Sequence, residues 1–119
     1  MQSALRKFKA SIFQALSHPT RIAIIDILRD GEISAGAILE RLEVEQANAS
    51  QHLSVLRAHH IVINRKEGNQ VFYSLKNLRL VEVLDLMRVY FMEELNESVG
   101  MLAEIHQETP GVGKVTQKE

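Results

Sequence analysis

At 119 residues the chain has room for one domain or one compact protomer, because two halves of about 60 residues would each have only a marginal core. Apolar residues make up 45% and charged residues 24%, as in soluble globular proteins, and fourteen Lys and Arg against fifteen Asp and Glu exclude a globally basic chain. The absence of cysteine excludes disulfides, thiolate metal sites and thiol nucleophiles, and four Phe with two Tyr and no Trp favour a helix-rich core of Leu, Ile, Val and Ala.

The opening segment has charges inside its apolar pattern and no small-residue cleavage site, so it does not read as a signal peptide. No apolar run approaches the eighteen residues of a membrane span, so no membrane partner is expected and a cytoplasmic location is. Leu5, Phe8, Ile12, Phe13 and Leu16 recur every three or four residues and predict a first amphipathic helix. It ends at Ser17-His18-Pro19, where Pro19 suits the first turn of a second helix and Ser17 or His18 its cap. Ile22, Ile25, Ile27 and Leu28 carry that helix to a stop at Asp30-Gly31. Ser34 is placed to cap a short third helix holding Ile38, Leu39 and Leu42. After a turn at Glu43-Val44-Glu45, a fourth helix runs from about Gln46 to His59. Two β-branched or aromatic runs follow, 61–66 and 70–75, joined at Glu67-Gly68-Asn69 as a hairpin. A long helix from about 77 to 105 completes the order, and residues 108–119 read as a flexible tail beyond a domain of residues 1–107. A three-to-four-residue turn between helices three and four, followed by a hairpin, outlines a winged helix-turn-helix, mainly α with a small β-hairpin.

The near-neutral total conceals segments of opposite sign. Residues 46–76 carry four basic and one acidic residue with three histidines, between stretches 30–45 and 77–119 that are each net acidic. On a helical wheel Ala49, Leu53, Leu56 and His60 fall on one side and are expected in the core. Ala47, Asn48, Gln51 and Ser54 point the other way, with Ser50 and His52 on the flanks. An ordinary solvated helix carries Lys–Glu pairs. This face carries amides, hydroxyls and an imidazole, which suit base edges and phosphates in a major groove. Arg65 and Lys66 on the hairpin, with Asn69 and Gln70 at its tip, are placed to reach a phosphate backbone or minor groove.

At this point the chain resembles a family. QALSHPTRIAIIDIL and SQHLSVLRAHHIVINRKEGNQVFYSL are similar to the ArsR/SmtB family of bacterial winged-helix repressors. The match spans about residues 13–80, with Arg21, Ser50, His52, Leu53, Leu56, Arg57, Gly68 and Tyr73 in register. The resemblance implies a homodimeric, sequence-specific transcriptional repressor on double-stranded DNA. The expected DNA-binding residues are Gln46, Ala47, Asn48, Ser50, Gln51, His52, Ser54 and Arg57 on the helix, and Arg65, Lys66, Asn69 and Gln70 on the wing. The chain departs from the family where Asn48-Ala49 replaces a frequent Thr-Val, and where His59-His60 replaces Ala-Gly. His60 reads as a substituted left-handed helix cap.

Neither of the family's metal arrangements is expected. The third-helix thiolate positions fall at Ser34 and Gly36, and the last helix offers carboxylates but no histidine before His106. No cofactor is expected and no catalytic constellation is present, so an enzyme is not predicted. A last helix of about 29 residues is on the order of 44 Å long, too long for a protomer of this size to cover its apolar stripe. Leu84, Met87, Phe91, Leu95, Val99 and Leu102, with Leu5, Phe8 and Ile12 of the first helix, are therefore expected at a twofold dimer interface. Two copies of the fourth helix would meet a roughly palindromic operator, and an effector of unidentified chemistry would act by shifting their relative pose. The alternatives are a metal-responsive repressor with an unrecognised His/carboxylate site and a winged-helix protein-interaction module.

Overall fold

The computed structural model describes residues 2–108, which divide into two compact units, one up to Val81 and one from Glu82 onward. In the first unit, α1 (Gln2–Ala15) buries only its C-terminal end, through Ala15 and the following Leu16, and leaves Leu5 and Phe8 exposed. Pro19 opens α2 (Pro19–Ile27), and the residue at its cap is a histidine: His18 has an extended backbone, and its Nδ1 accepts the Thr20 N–H at 3.0 Å. An imidazole lone pair here takes the part usually played by a Ser or Asp oxygen. The helix tightens into a 3-10 turn, Leu28–Asp30, and stops at Gly31, whose φ of +138° is open to glycine and rarely to other residues.

Ile24, Ile25 and Leu28 of this segment are fully buried. Ile22, expected in the stripe, is instead 38% exposed, and Ile24 takes its place. The reason is that α2 packs against both α3 and α4, so the face it buries is not the one a single 3.6-residue stripe outlines.

A two-residue strand, β1 (Ile33–Ser34), precedes α3 and was not anticipated, because two residues carry no periodicity. Ser34 serves twice: it pairs in the sheet, and its Oγ accepts the Ala37 N–H at 3.2 Å to cap α3 (Ala35–Leu42). Glu43 closes α3 in the left-handed region, φ +56°, and leads through a short turn into α4 (Gln46–Ala58). The far end of α4 confirms the cap reading of His60, with φ +59°. The His60 N–H donates to the Arg57 carbonyl at 2.9 Å and the Ile61 N–H to the Leu56 carbonyl at 3.0 Å, the paired bonds of a Schellman ending. That same geometry turns His60 outward, so its expected place on the core face is corrected: it is exposed.

β2 (Val62–Glu67) and β3 (Gln70–Leu75) form an antiparallel hairpin in register from Val62 opposite Leu75 to Glu67 opposite Gln70, turning at Gly68 (φ +62°) and Asn69. With β1 added, the sheet is three-stranded in the order β1-β3-β2. Ile61, Val62 and Leu75 bury the root of the hairpin and leave its tip in solvent.

The Asn77 Oδ1 accepts the Arg79 N–H at 2.9 Å at the head of α5 (Arg79–Glu108). At 30 residues this helix is about 45 Å long and continues through Gly100 without interruption. Many of its apolar residues are exposed: Leu86 is 71%, Leu95 61% and Val99 64% exposed. The tail expected over 108–119 lies, from residue 109 on, outside the described residues.

Candidate nucleic-acid interface

α4 is seated by one row of side chains. Ala49, Leu53 and Leu56, at spacings of four and three, are buried where α4 meets α2, α3 and β2. The opposite face is thereby presented outward, and Gln46, Ala47, Asn48, Ser50, Gln51, Ser54 and Arg57 are all exposed. The side chains of Asn48, Ser50, Gln51 and Ser54 make no hydrogen bond to another described residue, so their donors and acceptors are available to a ligand. Asn48, Ser50 and Gln51 lie in the N-terminal half of α4, soon after the short α3–α4 turn.

His52 does not belong to this face, which corrects the expectation that it contacts DNA. It is only 9% exposed, and its Nδ1 accepts the Arg21 Nε–H at 3.2 Å. The His18 ring lies over it, with centroids 4.1 Å apart. Arg21 also donates from Nη1 to the Ala15 carbonyl at 3.0 Å, so one guanidinium joins the end of α1, the start of α2 and the middle of α4. The physical reason is angular. His52 lies about 60° from Ala49 around the helix axis, within reach of the buried arc, and a half-buried Arg21 supplies the donor that makes burying an imidazole tolerable. Burial, followed by the neighbouring His18 and Arg21, holds the His52 pKa below the ordinary 6.5, which favours the neutral ring that this hydrogen bond requires.

The wing divides its cations. Lys66, Asn69 and Gln70 are exposed along the hairpin and its turn. Arg65 is exposed but engaged: its Nε and Nη2 donate to the two Glu32 carboxylate oxygens at 2.7 and 2.8 Å, and its Nη1 to Glu67 at 2.5 Å. Its guanidinium also lies 4.8 Å from the centre of the Phe72 ring. These bonds hold the Glu32 carboxyl below the usual carboxylate range and push the Arg65 pKa further up. In this arrangement the charge of Arg65, expected to contact phosphate, is already met by two carboxylates.

Glu32, Arg21 and His18 were not singled out as site residues. Arg21 was visible only as a position in register with a family pattern. Glu32 had no local signal, since its partner is 33 residues away. Among the described residues, no three His, Cys, Asp or Glu side chains meet as a group able to hold a metal ion, and no helix is long and apolar enough to cross a membrane.

Comparison with known proteins agrees with this geometry. Residues 16–63, which run from the end of α1 into β2, match a family model described as a helix-turn-helix domain. The chain is 34% identical over 102 residues to an uncharacterised helix-turn-helix-type transcriptional regulator of Mycobacterium tuberculosis, covering 85% of this chain and 90% of that one. The crystal structure of a Mycobacterium tuberculosis relative superposes with a TM-score of 0.73 at 35% identity, covering 80% of this chain and 96% of that one. The transcriptional repressor SdpR of Bacillus subtilis is 31% identical over 77 residues, 65% of this chain and 86% of SdpR. A homodimeric winged helix-turn-helix DNA-binding domain from Mycobacterium bovis superposes with a TM-score of 0.71 at 28% identity, covering 79% of this chain and 87% of that one.

Proposed function

The chain belongs to the ArsR-type winged helix-turn-helix transcriptional regulators, and from that membership we propose that it acts as a homodimeric repressor which reads an operator with α4 and holds the flanking backbone with the wing. The observation that carries the reading is the outward face of α4: exposed amides and hydroxyls with no hydrogen bond to a described residue, on a helix whose other side is anchored in the core. Amides at Asn48 and Gln51 have the paired donor and acceptor that an adenine edge presents in the major groove, and the Ala47 methyl suits a thymine methyl. Arg57, Lys66, Asn69 and Gln70 flank that face with groups fit for phosphate oxygens.

The dimer follows from what the protomer leaves uncovered. Leu5, Phe8, Phe91, Leu95, Val99 and Leu102 are exposed, and Ile12, Leu84 and Met87 are half-buried. Exposed apolar residues in this number call for a partner. A second copy supplies one with twofold symmetry, setting two α4 helices ideally about 34 Å apart on a roughly palindromic site. Occupation of that site excludes polymerase. A ligand that changes the relative pose of the two α4 helices releases the operator, by an amount set by its differential affinity for the two poses.

Fluorescence anisotropy on duplexes tiling the chain's own promoter tests the reading. Binding is expected to be sequence-selective and to weaken steeply with salt. Gln51→Ala should cost about 1–3 kcal/mol of discrimination at one base position and little on non-specific duplex. Equal affinity for every duplex at every salt concentration would overturn the proposal.

A further inference from the structure

Arg65 was expected to grip phosphate, and its surroundings give it another task. The sheet register sets Ser34 beside Phe72 and Phe72 beside Arg65, a row running across all three strands. The Arg65 side chain follows this row over the Phe72 ring and ends on Glu32, two residues before Ser34. Glu32 immediately precedes β1, and the fork between it and Arg65 spans the middle strand. One guanidinium thus ties the outer strand β2 to the segment that leads into β1. That segment needs a tie, because β1 meets β3 through only the two pairs Ile33–Tyr73 and Ser34–Phe72. It also bears on the reading unit, because Ser34 is the cap of α3. A shift of β1 would move the first helix of the helix-turn-helix relative to the wing.

The charges point the same way. Three of the five N–H donors of Arg65 are spent on Glu32 and Glu67, and the cluster is left net negative. A phosphate approaching the two remaining donors would meet this net negative charge. Lys66 is exposed, and as the next residue along β2 it points to the other side of the strand.

We infer that Glu32 and Arg65 are positioning residues for DNA binding: their forked ion pair locks the wing to the strand that caps α3, so that Lys66, Asn69 and Gln70 meet the duplex in register with α4, and Arg65 itself makes no phosphate contact. This rests on the DNA-binding reading above, so the test has an arm without DNA. In the full-length protein, Glu32→Gln, Arg65→Gln and Arg65→Lys should each speed hydrogen exchange of the amides that are hydrogen-bonded between β1 and β3 by about two- to fivefold, and the Glu32→Gln/Arg65→Gln double variant no further. Arg65→Lys belongs with the damaged variants because an ammonium cannot form the fork. Unchanged exchange, or full rescue by lysine, refutes the lock whatever the DNA behaviour. In the second arm, affinity is measured against salt on the operator duplex. Positioning predicts weaker binding for Glu32→Gln and Arg65→Gln with the salt slope of the parent, while Lys66→Gln lowers the slope by about 0.9, the share of one phosphate. A direct phosphate contact predicts the reverse: Arg65→Gln lowers the slope by about 0.9, and Glu32→Gln, by freeing the guanidinium, tightens binding. Failure of the parent protein to bind any duplex selectively would refute the functional reading, and the exchange arm would still decide the lock.

Discussion

Replacing His52 with alanine separates two roles that give opposite results. In the structure this ring is buried, packed at a tilt against His18 and hydrogen-bonded to Arg21. His52→Ala leaves the Arg21 Nε–H facing a half-buried site without its acceptor, at a cost of about 1–3 kcal/mol. Removal of the ring leaves a small cavity against His18, worth about 1 kcal/mol more. The expected loss is therefore about 2–4 kcal/mol, which for a chain of this size lowers the melting temperature by roughly 8–16 °C. The measurement is urea unfolding followed by far-UV circular dichroism, since the chain has no Trp to report by fluorescence. Protomer concentration is held fixed because dimerisation contributes to the apparent stability. His52→Gln keeps an acceptor near the Arg21 nitrogen and should recover about half of the loss. A base-reading His52 predicts the converse pattern: unfolding within about 0.5 kcal/mol of the parent, with altered operator preference. That second pattern would refute the assignment of His52 to the core.

Three further outcomes are expected. Folding depresses the His52 pKa, so the unfolded chain takes up a proton near pH 6.5 while the folded chain still resists it. Stability is complete above pH 6.5 and declines as pH falls from there to the lower folded value; denaturant midpoints at pH 7.5 and 5.5 should differ less in His52→Gln than in the parent. Leu95→Glu or Leu102→Glu sets carboxylates into the apolar face of α5 and should weaken self-association by more than about tenfold, read by analytical ultracentrifugation, with operator binding lost in parallel. A dimer that survives both changes would place the interface elsewhere. Ser34→Ala removes the α3 cap and should cost about 1 kcal/mol in urea unfolding; no loss would mean that the Ala37 N–H is satisfied by other means.

The element order and the two faces of α4 were legible in the residues because they are local properties. The spacing of Ala49, Leu53 and Leu56 decides which way the helix turns once any core exists, and what is left over is the Asn48–Gln51 face. The cap at Ser34 and the left-handed ending at His60 were local in the same sense, each set by the preferences of one residue at a helix end. The apolar residues of α5 likewise implied a partner by their number and spacing alone. Tertiary structure alone decided the rest. His52 sits at the border between the two faces of α4, and its burial depends on Arg21, 31 positions earlier. Arg65 is paired with Glu32, 33 positions earlier, because chain folding brings that carboxylate to it across β3. β1 exists only as the third member of a sheet whose other strands come 28 residues or more later. A polar side chain at such a border takes its role from whichever partner the fold delivers, and pairings between distant segments leave no periodicity in the chain to be read.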